Sequence, residues 1–75
     1  MRRLPFRLKG EFISLNDLLK VSGVCPSGGA GKAMVATGIV RVDGLVELRK
    51  TCKIRAGQVV RIGGVEITVR GAEPA

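Results

Sequence analysis

The hydrophobic period of this chain changes once, at Gly38, and that switch limits the folds open to it. Before Gly38, Leu15, Leu18 and Leu19 recur at i, i+3 and i+4, the spacing of one helix face. After it the period is two. Val65, Ile67 and Val69 alternate with Glu66 and Thr68, so apolar and polar side chains fall on opposite faces of a strand. A helical stretch followed by strands, within 75 residues, predicts one α+β domain and no second one.

The punctuation refines that reading. Ser14 and Asp17 have the Ser-x-x-Asp spacing of a capping box, and Gly23 supplies a stop, so a first helix is predicted over about Leu15 to Ser22. Ser27 is the expected N-cap of a second helix, Gly28 to Thr37, that ends at Gly38. The pair has the outline of a helix-turn-helix. Gly28, Gly29 and Gly31 are poor helix formers, each costing about 1 kcal/mol relative to Ala inside a helix. Their presence points to a backbone or a phosphate that must come close. Ile39 to Val42, the Asp43-Gly44 turn and Leu45 to Leu48 predict one hairpin, and Val59 to Ile62, Gly63-Gly64 and Val65 to Val69 another. Phe12-Ile13 adds a short strand before the first helix. Residues 1–10 are expected to be a basic N-terminal arm, residues 11–71 the folded domain, and residues 72–75 a tail.

Charge indicates the kind of partner. Thirteen Lys and Arg face six Asp and Glu, a net charge of +7 and a pI near 10.5. Such an excess favours polyanions through counterion release, nucleic acid first and an anionic membrane surface second. The longest apolar run, Ala33 to Val40, is too short and too interrupted to span a bilayer. Arg2, Arg3, Arg7 and Lys9 are not followed by an apolar signal core, so a cytoplasmic location is expected, with Cys25 and Cys52 as reduced thiols. The chain has no His, Trp or Tyr. Histidine acid–base catalysis, a Cys/His zinc site and an aromatic stacking platform built on more than Phe6 and Phe12 are therefore unavailable within it.

The motifs follow the same line. Ser27-Gly-Gly-Ala-Gly-Lys32 fails as a P-loop, because Pro26 stands where the first Gly is required and Ala33 where Ser or Thr is. The dinucleotide pattern fails at Met34. What remains is a helix N-terminus with Ser27 beside it and Lys32 one turn in, suited to one phosphate group. Arg49 to Arg55 is the densest basic cluster. If extended, it turns Leu48, Cys52 and Ile54 one way and Arg49, Lys53 and Arg55 the other, a row of cations for a phosphate backbone or a charged edge strand protected against aggregation. Lys20, Lys32 and Arg41 add to the basic surface and favour the phosphate reading. The six carboxylates are scattered and form no catalytic pair.

Phe12-Ile13-Ser14-Leu15, Leu18-Leu19-Lys20, Gly23, Ser27-Gly28-Gly29, Lys32, Gly38, Val42-Asp43-Gly44, Glu47-x-Arg49-Lys50, Lys53-Ile54 and Gly57 together resemble the S-four-type RNA-binding domain. That domain is named after the fourth small-subunit ribosomal protein, and the likeness is strongest to its stand-alone bacterial YbcJ/YaaA-like members. It covers about Glu11 to Arg70. The resemblance implies two short helices on a small curved, mostly antiparallel sheet (the alpha-L motif), with the helix pair and the following turn gripping structured RNA. It makes Lys20, Ser27, Gly28, Gly29, Lys32, Arg49, Lys50 and Lys53 RNA-facing; the charge pattern adds Arg41 and Arg55. Members commonly carry an acid or amide at the position of Ala30, Ala at Gly31, Asn at Asp43 and Asp at Gln58. The expected function is non-catalytic binding of structured RNA, rRNA or tRNA, on a ribosomal particle, with no cofactor, metal, membrane or small-molecule substrate. A DNA-binding helix-turn-helix protein and an adaptor for an acidic protein are the alternatives.

Overall fold

The computed structural model describes residues 2–71. Met1 and the expected tail, residues 72–75, lie outside the described residues. In chain order the elements are β1 (Arg2–Arg7), β2 (Phe12–Ser14), α1 (Leu15–Val21), α2 (Gly28–Ala36), β3 (Val40–Val42), β4 (Leu45–Val46), β5 (Lys53–Arg55), β6 (Val59–Ile62) and β7 (Val65–Arg70). One sheet runs β1-β7-β6-β3-β4, and β2 pairs with β5 in a second, two-stranded one. Every pairing is antiparallel except β1 with β7. The expected α+β class, two short helices on a mostly antiparallel sheet, is the observed one.

The pleat explains the layers. Val40 and Val42 of β3, Val60 and Ile62 of β6, and Ile67 and Val69 of β7 are buried on one face of the large sheet. Leu15, Leu18 and Leu19 of α1, Val35 of α2 and Ile54 of β5 close the same core. The Asp43-Gly44 turn takes positive φ at both residues (51° and 85°), the pair of left-handed conformations that a two-residue hairpin needs to match strand twist.

Three expectations are corrected. The basic N-terminal segment is no arm: Arg2–Arg7 form an edge strand, and Leu8, bonded through its N–H to the Arg70 carbonyl, enters the core. Leu4, Phe6 and Leu8 alternate with Arg3, Pro5 and Arg7, so the period-2 signal was present beneath the charge. Pro5 is compatible with it because an edge strand can do without one ladder donor. The capping box does not close on the backbone. Ser14 Oγ donates to Asp17 Oδ2 (2.8 Å), while the Leu15 and Asn16 amides are taken by the carbonyls of Cys52 (2.9 Å) and Lys50 (3.0 Å). Finally, β4 stops at Val46 and Leu48 is exposed rather than buried. The extended parity holds only from Cys52 to Arg55, because the chain turns between Arg49 and Cys52, where the Cys52 amide bonds the Arg49 carbonyl (3.1 Å).

Candidate nucleic-acid interface

The second helix begins as the sequence predicts: Ser27 Oγ accepts the Ala30 amide at 3.2 Å. Its three early glycines divide into two kinds. A Cβ at Gly31 would stand 2.9 Å from the Asn16 carbonyl oxygen, so Gly31 is required by close contact with α1. Gly28 and Gly29 face open space apart from Ser27 itself. No internal contact requires them.

Asn16 joins these parts. Its carbonyl meets Gly31, its amide donates to the Lys50 carbonyl, and its side chain is buried with Oδ1 lacking a hydrogen-bond partner. The start of α1, the first turns of α2 and the loop of Arg49 and Lys50 are thereby held together. Lys32 on α2, Lys20 in the last turn of α1, and Lys50 are all exposed. Asn16 was not singled out in the sequence. A polar residue one position after a leucine, in a helix that also exposes Asp17, carries no signal that it will be buried.

Arg49 has a partner that sequence spacing did not suggest. Its backbone amide and Nε both donate to Glu47 Oε2 (2.9 and 3.1 Å), and Nη2 donates to Oε1 (3.4 Å). These bonds hold the Glu47 carboxyl down at about 2, well below the ordinary range. The same carboxylate raises the Arg49 guanidinium further, and Arg49 remains mostly exposed. Burial first, then the Glu47 carboxylate, pushes the Cys52 thiol up, away from the nucleophilic thiolate form. Cys25 is also free and raised by burial, with its Sγ 3.6 Å from Met34 Sδ.

Lys53 and Arg55 flank buried Ile54 and point away from the core with Phe12, whose ring lies 4.9 Å from Lys53 Nζ and 5.7 Å from Arg55 Cζ. The two cations cover the exposed ring, so Phe12 holds their stems in place instead of offering a bare stacking surface. Asp43 and Gln58 are joined: Gln58 Nε2 donates to Asp43 Oδ2 (3.2 Å) and the Val59 amide to Asp43 Oδ1 (3.0 Å). Of the ten residues expected to face RNA, Arg41 stands apart. It projects from the outer face of the large sheet, opposite Arg61.

The layers and this surface define an α+β module whose helix pair and adjoining basic loop form one exposed cationic region. The S4 domain family matches residues 6–70, and the chain belongs to that family. Two relatives, "Putative RNA-binding protein YbcJ" of Escherichia coli (strain K12) and "Uncharacterized protein YbcJ" of Shigella flexneri, are each 48% identical over 61 residues. Those matches span 81% of this chain and 87% of each relative. The solution structure of Escherichia coli YbcJ, described as revealing an alpha-L motif involved in RNA binding, is similar with a TM-score of 0.71 and 46% identity. The likeness covers 89% of this chain and 86% of that one.

Proposed function

We propose that the chain is a non-catalytic RNA-binding protein that grips structured RNA, rRNA on a ribosomal particle, through its phosphates and shape. The open N-terminus of α2 receives one phosphate between the Gly28 and Gly29 amides, with Lys32 one turn behind. Lys50 and Arg49 on the loop, then Lys53 and Arg55 on β5, extend the contact, and Lys20 borders it on α1. The observation that carries this reading is the pairing of two open glycines at the helix start with a basic loop pinned to the same Asn16. The family and the YbcJ names support it. No described helix is long and apolar enough to cross a membrane, and a basic, RNA-directed protein of this kind is assigned to the cytoplasm.

The test is a salt titration of binding to rRNA fragments. Contact with about five phosphates gives a log–log slope of roughly −3 to −5. Lys32→Ala and Lys53→Ala should each weaken binding, lower that slope by about 1 and leave the melting temperature unchanged. Binding that ignores salt and both substitutions would overturn the proposal. Sedimentation of lysate at low and high salt tests the ribosomal particle: release at high salt is expected, and migration only as free protein would remove the ribosome from the proposal.

A further inference from the structure

Phe6 and Phe12 are the only aromatic residues of the chain, and the fold brings both to one cleft. It lies where the end of β1, the loop into β2 and the end of α1 meet. Its volume is about 380 Å³, and its apolar walls are Phe6, Leu8, Phe12, Ile13 and Val21. That size falls within the roughly 300–1,000 Å³ of small-ligand sites. Val21 is 57% exposed and Phe12 44%, so packing within the chain leaves apolar surface uncovered here. The charged lining is Arg7 and Lys9, with no carboxylate among the described residues. Arg7 is already engaged within the chain, and Lys9 is exposed. The cleft therefore suits a ligand with a flat apolar body and negative charge beside it. Phe12 also joins the cleft to the basic surface of β5. Lys53 Nζ and Arg55 Cζ lie 4.9 and 5.7 Å from its ring centre, yet neither residue lines the cleft, which reaches the ring from the side of β1 and α1. A phosphate on either cation is within one nucleotide of the ring.

We infer that this cleft holds one unpaired nucleobase of the bound RNA, turned out of its helix, while the neighbouring phosphates lie on Lys53 and Arg55. The inference rests on the RNA-binding reading and adds to it a preference for RNA that carries an unpaired nucleotide. Structured RNA offers such bases at bulges and loops, where they are free to be splayed out and stacked on aromatic side chains. The site tolerates any base, because every base has a π-face and the cleft walls are apolar. It takes a single base, since the two rings share one cleft and the chain has no third. Recognition by phosphates and shape then places the chain on a helix, and the cleft fixes its position along that helix.

The experiment uses the full chain and RNA hairpins that differ at one site: a fully paired stem, the same stem with a bulged adenosine, and the same stem with an abasic bulge. The wild type should bind the adenosine bulge about tenfold more tightly than the other two. A 2-aminopurine at the bulge should become shielded from acrylamide quenching on binding. Val21→Gln replaces an exposed wall of the cleft outside the core. It should lose the tenfold gain and the shielding, and keep both its affinity for the paired stem and its melting temperature. Lys32→Ala should weaken all three hairpins alike. Equal affinity for the adenosine and abasic bulges overturns the base site and leaves the helix-side reading intact. A gain that survives Val21→Gln, with the 2-aminopurine open to the quencher, puts the base elsewhere and overturns the cleft. No binding to any hairpin overturns both readings. Laurate that shifts the amide resonances of Gly10 and Val21, with no preference for the adenosine bulge, would overturn the base site in favour of an acyl chain.

Discussion

Gly31 lies where two helix backbones touch, and the contact is tight enough to fix the residue. Gly31→Ala would push a methyl against the Asn16 carbonyl at 2.9 Å, and neither backbone can yield cheaply. A loss of about 1–3 kcal/mol is expected in urea unfolding, despite the better helix propensity of Ala. The sequence raised this contact as one of two explanations for the glycines, and only the packing separates Gly31 from Gly28 and Gly29. Glu47 offers a second test. Its carboxyl is held at about 2 in the fold by the Arg49 side chain and amide. A depressed folded value stabilises above the unfolded carboxyl range, and the contribution fades as pH falls toward 2. Glu47→Gln should therefore melt below the wild type at pH 6, with the gap closing between pH 4.5 and 2. A gap independent of pH would mean that the Arg49 contact contributes nothing through charge.

Helices with clear start and stop signals were legible, because Ser27 and the glycines after each helix act within a few residues of themselves. Pairing was legible where turn residues set it, as at Asp43-Gly44 and Gly63-Gly64. What local signals could not supply was the competition for the first amides of α1, which two distant loop carbonyls won over the Ser14 side chain. For the same reason the extended reading of the basic cluster failed at Leu48. At the start of α2, stability and function should separate. Gly29 is helical with only an ordinary 3.9 Å contact to Ser27 Oγ for an added Cβ. Gly29→Ala should stabilise the fold by a few tenths to about 1 kcal/mol. On the proposed reading it should also weaken RNA binding several-fold by standing between the backbone and a phosphate. Calorimetry beside a binding titration checks both, and a stabilised variant with unaltered affinity would remove the α2 N-terminus from the interface.

In the whole molecule, the end of the chain closest to appearing dispensable is part of the sheet. Its arginines dominated the reading of residues 1–10, and a parallel partner sixty residues away leaves no local trace. The first and last strands pair from Arg2 with Val65 to Arg7 with Arg70. Leu8 is 3% exposed, and Leu4 and Phe6 pack on the core beside Ile67 and Val69. A domain this small buries only about 60% of its extended surface, so it has little core to lose. Burying Leu8 alone is worth about 1.5–3 kcal/mol, with Leu4 and Phe6 adding partial burial, against a total near the low end of the usual 5–15 kcal/mol. Deleting residues 1–10 should therefore lower the melting temperature by ten degrees or more, or abolish a cooperative transition, in circular dichroism. Single substitutions separate the causes. Leu8→Ala should reproduce much of the loss, whereas Arg3→Gln should leave the fold standing and act only on the charge of the outer face. If the deletion instead melts like the full chain, β1 is an appendage, and the remaining four-stranded sheet is stable with β7 as its edge.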